Sequence, residues 1–250
     1  MTTTAAAETT ARAPMDSTRR IALVAGAFYI ITFISIPVLG LYGPVHDPHY
    51  IIGPGPDNGI IYGVLLELVV TLAGIGTAIT LFPVVKRQNE SLAIGFVATR
   101  TLEASLIFVS AVGLLTIVTL RQDLGGAGGA SLVATGSALV GVYDWTFTLG
   151  QGLMPVANAV LLGTLMYRSG LVPRAIPLLG LVGAPILLIG KITTILGISE
   201  ATSPWAAIAA VPIAAWELSL GLWLLLKGFR PCPVLAEMKA AASAQHTVKV

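Results

Sequence analysis

Charge is scarce in this chain. Asp, Glu, Lys and Arg make up 10% of its 250 residues, where a soluble domain carries about 25%, so an ordinary water-covered surface is excluded. The 14 basic and 12 acidic residues leave a net charge of +2. That is too small and too scattered for the basic face that nucleic acid requires. A single cysteine, Cys232 in a Pro-Cys-Pro tripeptide, makes no internal disulfide and no four-ligand zinc site. The three histidines form no H-E-x-x-H zinc pattern, and there is no G-x-x-x-x-G-K-[ST] phosphate loop. No Gly-x-Ser-x-Gly turn occurs, and Ser105, Ser110 and Ser219 have no histidine within an apolar run to act as base. Catalysis is disfavoured, with a carboxylate mechanism on lipid as the enzymatic reading left open. No cofactor and no metal site is expected.

What is present is apolar sequence: 55% of residues are hydrophobic. Six runs, at about 21–42, 59–84, 93–118, 142–166, 175–197 and 205–226, are long enough to cross a bilayer, because roughly 20 residues at 1.5 Å each span a 30 Å core. The first run follows Arg19 and Arg20, but it exceeds the 7–15 residues of a signal-peptide core, and no clear A-x-A cleavage site follows. Residues 1–18, rich in Ala and Thr, read as a disordered tail, and 230–250 as a second tail. Residues 43–58 carry His46, Asp47, Pro48, His49 and a Gly-Pro-Gly-Pro sequence and read as a turn-rich loop. The two histidines there are a weak metal pair and read as solvated. The apolar stretch 130–141 follows a glycine-rich break. It extends span four or lies at the interface; were it to cross, there would be seven spans.

Charge decides the count. With the N-terminus inside, eleven of the fourteen Lys and Arg residues fall in inner segments, Arg121 alone falls in an outer loop, and Arg100 and Lys191 lie within spans. That asymmetry is the positive-inside pattern. The expected fold is an all-α transmembrane bundle of six spans with both termini cytoplasmic, in the cell membrane. Trp145 and Trp205 mark outer interfaces, while Trp216 and Trp223 pack deeper. The pairs Ala22 and Gly26, and Gly180 and Ala184, permit close helix packing.

The informative residues are the polar ones inside the runs, since a charge at the bilayer centre costs at least roughly 2.5–3.5 kcal/mol. From helix rise, Glu217 and Glu103 lie within about 3 Å of mid-span, Glu67 about 6 Å outward, Lys191 about 7–8 Å outward and Arg100 about 7–8 Å inward. Arg100 and Glu103, three apart, share a face and read as a structural ion pair. Lys191, Glu67 and Glu217 lie at similar heights and read as a buried polar centre in which one acid lacks a counter-charge. Asp144, Thr148, Gln151 and Asn158 share one face of span four. Gly150, Gly152 and Pro155 interrupt that helix, and Pro155 removes a backbone hydrogen bond. A broken membrane helix is tolerated only beside protein or a wet cavity, so Gln151 and Asn158 are candidate cavity walls and Asp144 its mouth.

Taken together, STRRIALVAGAFYIITFISIPVL, LYGPVHDPHYIIGPG, LFPVVKRQNESLAIGFVATRTLEA, YDWTFTLGQGLMPVANAVLLGTLMYRSGLVPR and WELSLGLWLLLKGF resemble a bacterial family of uncharacterised integral membrane proteins, the domain-of-unknown-function 4386 family. The resemblance covers about residues 17–229. It implies a polytopic helical membrane protein and carries no activity, ligand or catalytic residue with it. The leading expectation is a protein that binds or moves a small solute or ion through Glu67, Lys191 and Glu217. A sensor or assembly subunit with structural buried charges, and an intramembrane lipid enzyme, are the alternatives. The lipid bilayer is the one partner the sequence implies; protein partners and oligomeric state are left open.

Overall fold

The computed structural model describes residues 16–54, 56–124, 129–200 and 203–247. Its elements are α1 (Ser17–Thr32), α2 (Ser35–Val38), 3₁₀ turns at Leu39–His46 and Tyr50–Ile52, α3 (Asn58–Val85) and α4 (Glu90–Leu124). Then come α5 (Ala130–Phe147), a π-helical turn at Thr148–Leu153, α6 (Met154–Ser169), α7 (Ala175–Ile195), α8 (Pro204–Leu226) and α9 (Pro233–Thr247). Among the described residues six helical stretches are long and apolar enough to cross a membrane: Ser17–His46, Asn58–Val85, Glu90–Leu124, Ala130–Ser169, Ala175–Ile195 and Pro204–Leu226. The chain is a multi-pass helical membrane protein. Large apolar side chains such as Leu72, Val112, Ile189 and Val211 are exposed on the outside of the bundle, and lipid is the solvent that covers such a surface.

Residues 130–141 are the first part of span four. α5 runs through the π turn into α6 without a break, giving 40 residues, about 60 Å at helical rise, twice the thickness of a hydrocarbon core. α4 is long as well, and α5 packs along it.

The spans close a ring in chain order. α1 packs on α3, α3 on α4, α4 on α6, α6 on α7, α7 on α8, and α8 returns to α1. Small residues set how closely neighbours approach. A Cβ on Gly26 would lie 2.6 Å from the Leu225 amide nitrogen and 2.8 Å from the Gly221 carbonyl oxygen, so α1 and α8 touch backbone to backbone. Gly180 lies beneath the Trp216 ring, which is fully buried, whereas Trp145 and Trp205 are exposed.

The helix ends are closed by local chemistry. The Asp16 carboxylate accepts from the Thr18 amide at the start of α1, and Ser203 accepts from the Ala206 amide ahead of Pro204 in α8. α6 stops at Gly170, whose φ of 68° is left-handed, a conformation that glycine adopts without steric cost. The Arg19 guanidinium donates to the carbonyls of Leu224 and Leu225 at 2.9 and 2.8 Å, a cation on the negative end of α8.

The C-terminal segment differs from the expected tail. Pro233–Thr247 is a helix, because an alanine-rich sequence has strong helix propensity and Leu235 is buried against the bundle. Lys239 reaches Asp16 at 2.9 Å; this bond and the Thr18 amide hold the Asp16 carboxyl below the ordinary carboxylate value. Both side chains are largely exposed, so the pair contributes little beside the burial of Leu235. Ser17 and Thr18 belong to α1, and residues 1–15 lie outside the described residues.

Gly26→Val should separate α1 from α8, because the added carbons meet backbone that cannot rotate away. Thermal unfolding in detergent should show a loss of about 1–3 kcal/mol, and an unchanged midpoint would contradict the close contact.

Candidate functional site

Two apolar clusters fill the bundle. One, including Tyr29, Leu81, Phe96, Leu162, Trp216 and Leu220, lies toward the end bearing Arg19, Lys86, Arg174 and Lys227. The other, including Tyr42, Ile51, Val64, Leu114, Val118 and Leu132, lies toward the opposite end. Polar side chains occupy the level between them.

Arg100 is at the centre of that level. Its Nη1 donates to Glu103 Oε2 at 3.0 Å and its Nη2 to Glu217 Oε1 at 2.7 Å. The guanidinium also faces the rings of Tyr29 and Phe96, 5.6 and 5.9 Å from their centroids. Asn158 Nδ2 donates to the same Glu103 oxygen at 2.8 Å, and the Thr99 hydroxyl donates to Asn158 Oδ1 at 2.6 Å. The Arg100–Glu103 pair is the one that i,i+3 spacing predicts. Glu217 differs from expectation, since it joins Arg100 instead of Lys191. α4 and α8 lie opposite each other in the ring, and the reach of the arginine side chain spans the interior between them.

Glu67 and Lys191 do not meet. Glu67 is 0% exposed; its Oε1 accepts from Gln151 Nε2 at 2.9 Å, the Tyr42 hydroxyl is close by, and its Oε2 accepts no hydrogen bond of ordinary geometry among the described residues. The π turn explains the position of Gln151. Pro155 supplies no N–H to the carbonyl one turn back, and the wider turn directs Gln151 toward α3. A Cβ on Gly152 would lie 2.8 Å from Lys191 Cε, so the lysine stem lies across that glycine. Gly150 admits Leu106 of α4 in the same manner. π turns of this kind are frequent at functional sites.

Among the described residues the Lys191 ammonium has no hydrogen-bond or ion-pair partner, although the residue is only 7% exposed. It lines a cavity of about 230 Å³ at mid-height to which every span contributes. Ser35, Thr71, Arg100, Glu103, Gln151 and Glu217 supply polar atoms, and Ile36, Val70, Ile107, Leu187 and Ile213 supply apolar wall. Among the described residues Glu103 Oε1 and Glu217 Oε2 receive no hydrogen bond, yet neither is among the fully occluded polar atoms, and both carboxylates line this space.

Asp144 does not join the layer. It is half-exposed and pairs with His46 Nε2 at 3.0 Å, beside a second cavity between the 3₁₀ turns and α5. Asn158 and Gln151, expected on one stripe with Asp144, bond to Glu103 and Glu67 respectively. The π turn adds residues to one turn and rotates the stripe.

Sequence reasoning missed the role of Arg121. Its guanidinium donates to the Gly53 carbonyl at 3.0 Å from both Nε and Nη2, pairs with Asp57, and stacks 4.6 Å from the Tyr50 ring. Burial pushes the Tyr50 hydroxyl above its ordinary value, and Arg121 pulls it back. The signal was its position just past the expected span 93–118, as the one Lys or Arg assigned to an expected outer loop; the structure places it in the last turn of α4. His49 stands 3.7 Å from Asp47, and among the described residues no group of three His, Cys, Asp or Glu side chains is placed to hold a metal.

Arg100→Met should destabilise the protein by about 3–5 kcal/mol, because it leaves a buried and a largely buried carboxylate near each other without a cation. Adding Glu103→Gln and Glu217→Gln to that variant should recover most of the loss in a thermal melt. Arg100→Met alone melting like the parent would show that the network holds nothing.

No curated protein and no solved structure matches the chain. One family model does match: a domain of unknown function, DUF4386, aligns with residues 24–228, from within α1 to just past α8. That alignment takes in most of the first span, the other five whole and every residue of the polar layer, and the chain belongs to the DUF4386 family.

Proposed function

We propose that this protein binds a small polar solute or ion inside the bilayer and passes it across. The observation that carries the reading is the mid-height cavity, with an unpartnered Lys191 on one wall and the open oxygens of Glu103 and Glu217 on another. An uncompensated ammonium in such a place costs free energy, and a site that receives a ligand accounts for its retention. At about 230 Å³ the space is smaller than the roughly 300–1,000 Å³ of drug-sized sites, which favours a small solute. In this reading Lys191, Glu217 and Glu103 act at the site, Glu67 stands behind its wall bonded to Gln151, Asn158 supports Glu103, and Arg100 holds α4 to α8 through Glu217. Asp144 and His46 stand toward the outer side, with both termini cytoplasmic in the cell membrane, as the distribution of basic residues favours. A purely structural role accounts for Arg100 and its two glutamates, but gives no reason for Lys191.

Cysteine accessibility tests the proposal. In a Cys232→Ser background, Ala210→Cys and Ala214→Cys place single thiols on the cavity wall. A charged, membrane-impermeant thiol reagent applied to intact cells and to inverted vesicles should label both variants, from both faces if solute passes through. Thiols that react only after denaturation would sink the proposal.

A further inference from the structure

The charges around the cavity are specific enough to name a ligand class. With its amine protonated, Lys191 contributes one positive charge, and among the described residues no acid is bonded to it. On α4 and α8, Arg100 is shared by Glu103 and Glu217. With those three groups ionised that cluster carries one net negative charge, and each glutamate keeps one oxygen without a hydrogen bond. The cavity wall thus carries a positive group on α7 and a net negative cluster on α4 and α8, with no ion pair between them among the described residues. Ile36, Val70, Ile107, Leu187 and Ile213 add an aliphatic part to the wall.

A lone anion would satisfy Lys191 and leave the two glutamates unmatched. A lone cation would do the reverse. A solute with both charges matches both groups, and its site gains no net charge on loading, which matters where unbalanced charge is costly. We propose, resting on the solute-binding reading above, that the cavity takes a small zwitterion. Its carboxylate meets the Lys191 ammonium, its ammonium meets Glu217 and Glu103, and a short apolar body lies against the aliphatic wall. Gly152 serves as a positioning residue: the absence of a side chain there leaves room for the lysine stem.

The test is a thermal melt of the purified full chain in detergent, across millimolar series of three related probes. Alanine carries both charges, propionate lacks the ammonium, and ethylammonium lacks the carboxylate; β-alanine and glycine betaine extend the comparison to other charge separations and to a methylated cation. At least one zwitterion should raise Tm saturably, because a ligand that binds the folded state stabilises it, while propionate and ethylammonium should give a much smaller shift. Lys191→Met should abolish the zwitterion shift while keeping or raising the unliganded Tm, since it removes an unpaired buried ammonium. Glu217→Gln should weaken the shift. The inference is overturned if no zwitterion raises Tm, if propionate or ethylammonium does so equally well, or if Lys191→Met retains the full shift. Reactive wall cysteines without any zwitterion effect would leave a solute cavity of another ligand class, whereas unreactive cysteines would remove the cavity reading itself.

Discussion

A single guanidinium links opposite sides of this bundle at the level where its apolar core is interrupted. Arg100 on α4 holds Glu103 on its own helix and Glu217 on α8, and Asn158 on α6 bonds to the same network. In a bilayer there is no water outside the bundle to solvate these groups, so they must find one another or a wet interior. The ring of helices, the rotation of α4 and α8 and the position of the cavity are all compatible with that requirement. Burying an arginine against carboxylates is weak evidence of net stability. Its more secure consequence is geometric: the pairing is satisfied in one register of α8 against α4.

The same level shows why packing stops short of filling the interior. Toward the basic end, small residues bring helices into backbone contact and large ones such as Trp216 fill the space between them. At mid-height, span four widens into a π turn, with glycines at 150 and 152 and a proline at 155. The π turn redirects Gln151 to Glu67 and makes room for Lys191. Past that level α4 and α5 continue together and enclose a second core beneath the Arg121-anchored loop. The cavity therefore lies between two well-packed regions instead of at a loosely packed end.

How much of this was legible follows from the range of each interaction. The Arg100–Glu103 pair could be read directly, because three residues along one helix fix both height and direction. The disruption of span four could be read from Gly150, Gly152 and Pro155, although its form as a π turn could not. The partner of Glu217 was not legible. Helix rise placed it level with Lys191, but rise says nothing about which way a helix is turned. The contacts of His46 with Asp144 and of Arg121 with Asp57 bring together residues far apart in the chain, and the helix at Pro233–Thr247 depends partly on Leu235 finding the bundle.

The amino-acid sequence alone determined that this is a helical membrane protein with six spans, because a bilayer demands about 20 apolar residues per crossing and satisfied backbone throughout. It also determined which residues would have to be accommodated at unusual cost. Tertiary structure alone decided which of those residues pair and which face open space. Pairing depends on helix rotation and ring order, set by many small contacts summed over neighbouring helices, and no local pattern in the chain encodes that sum.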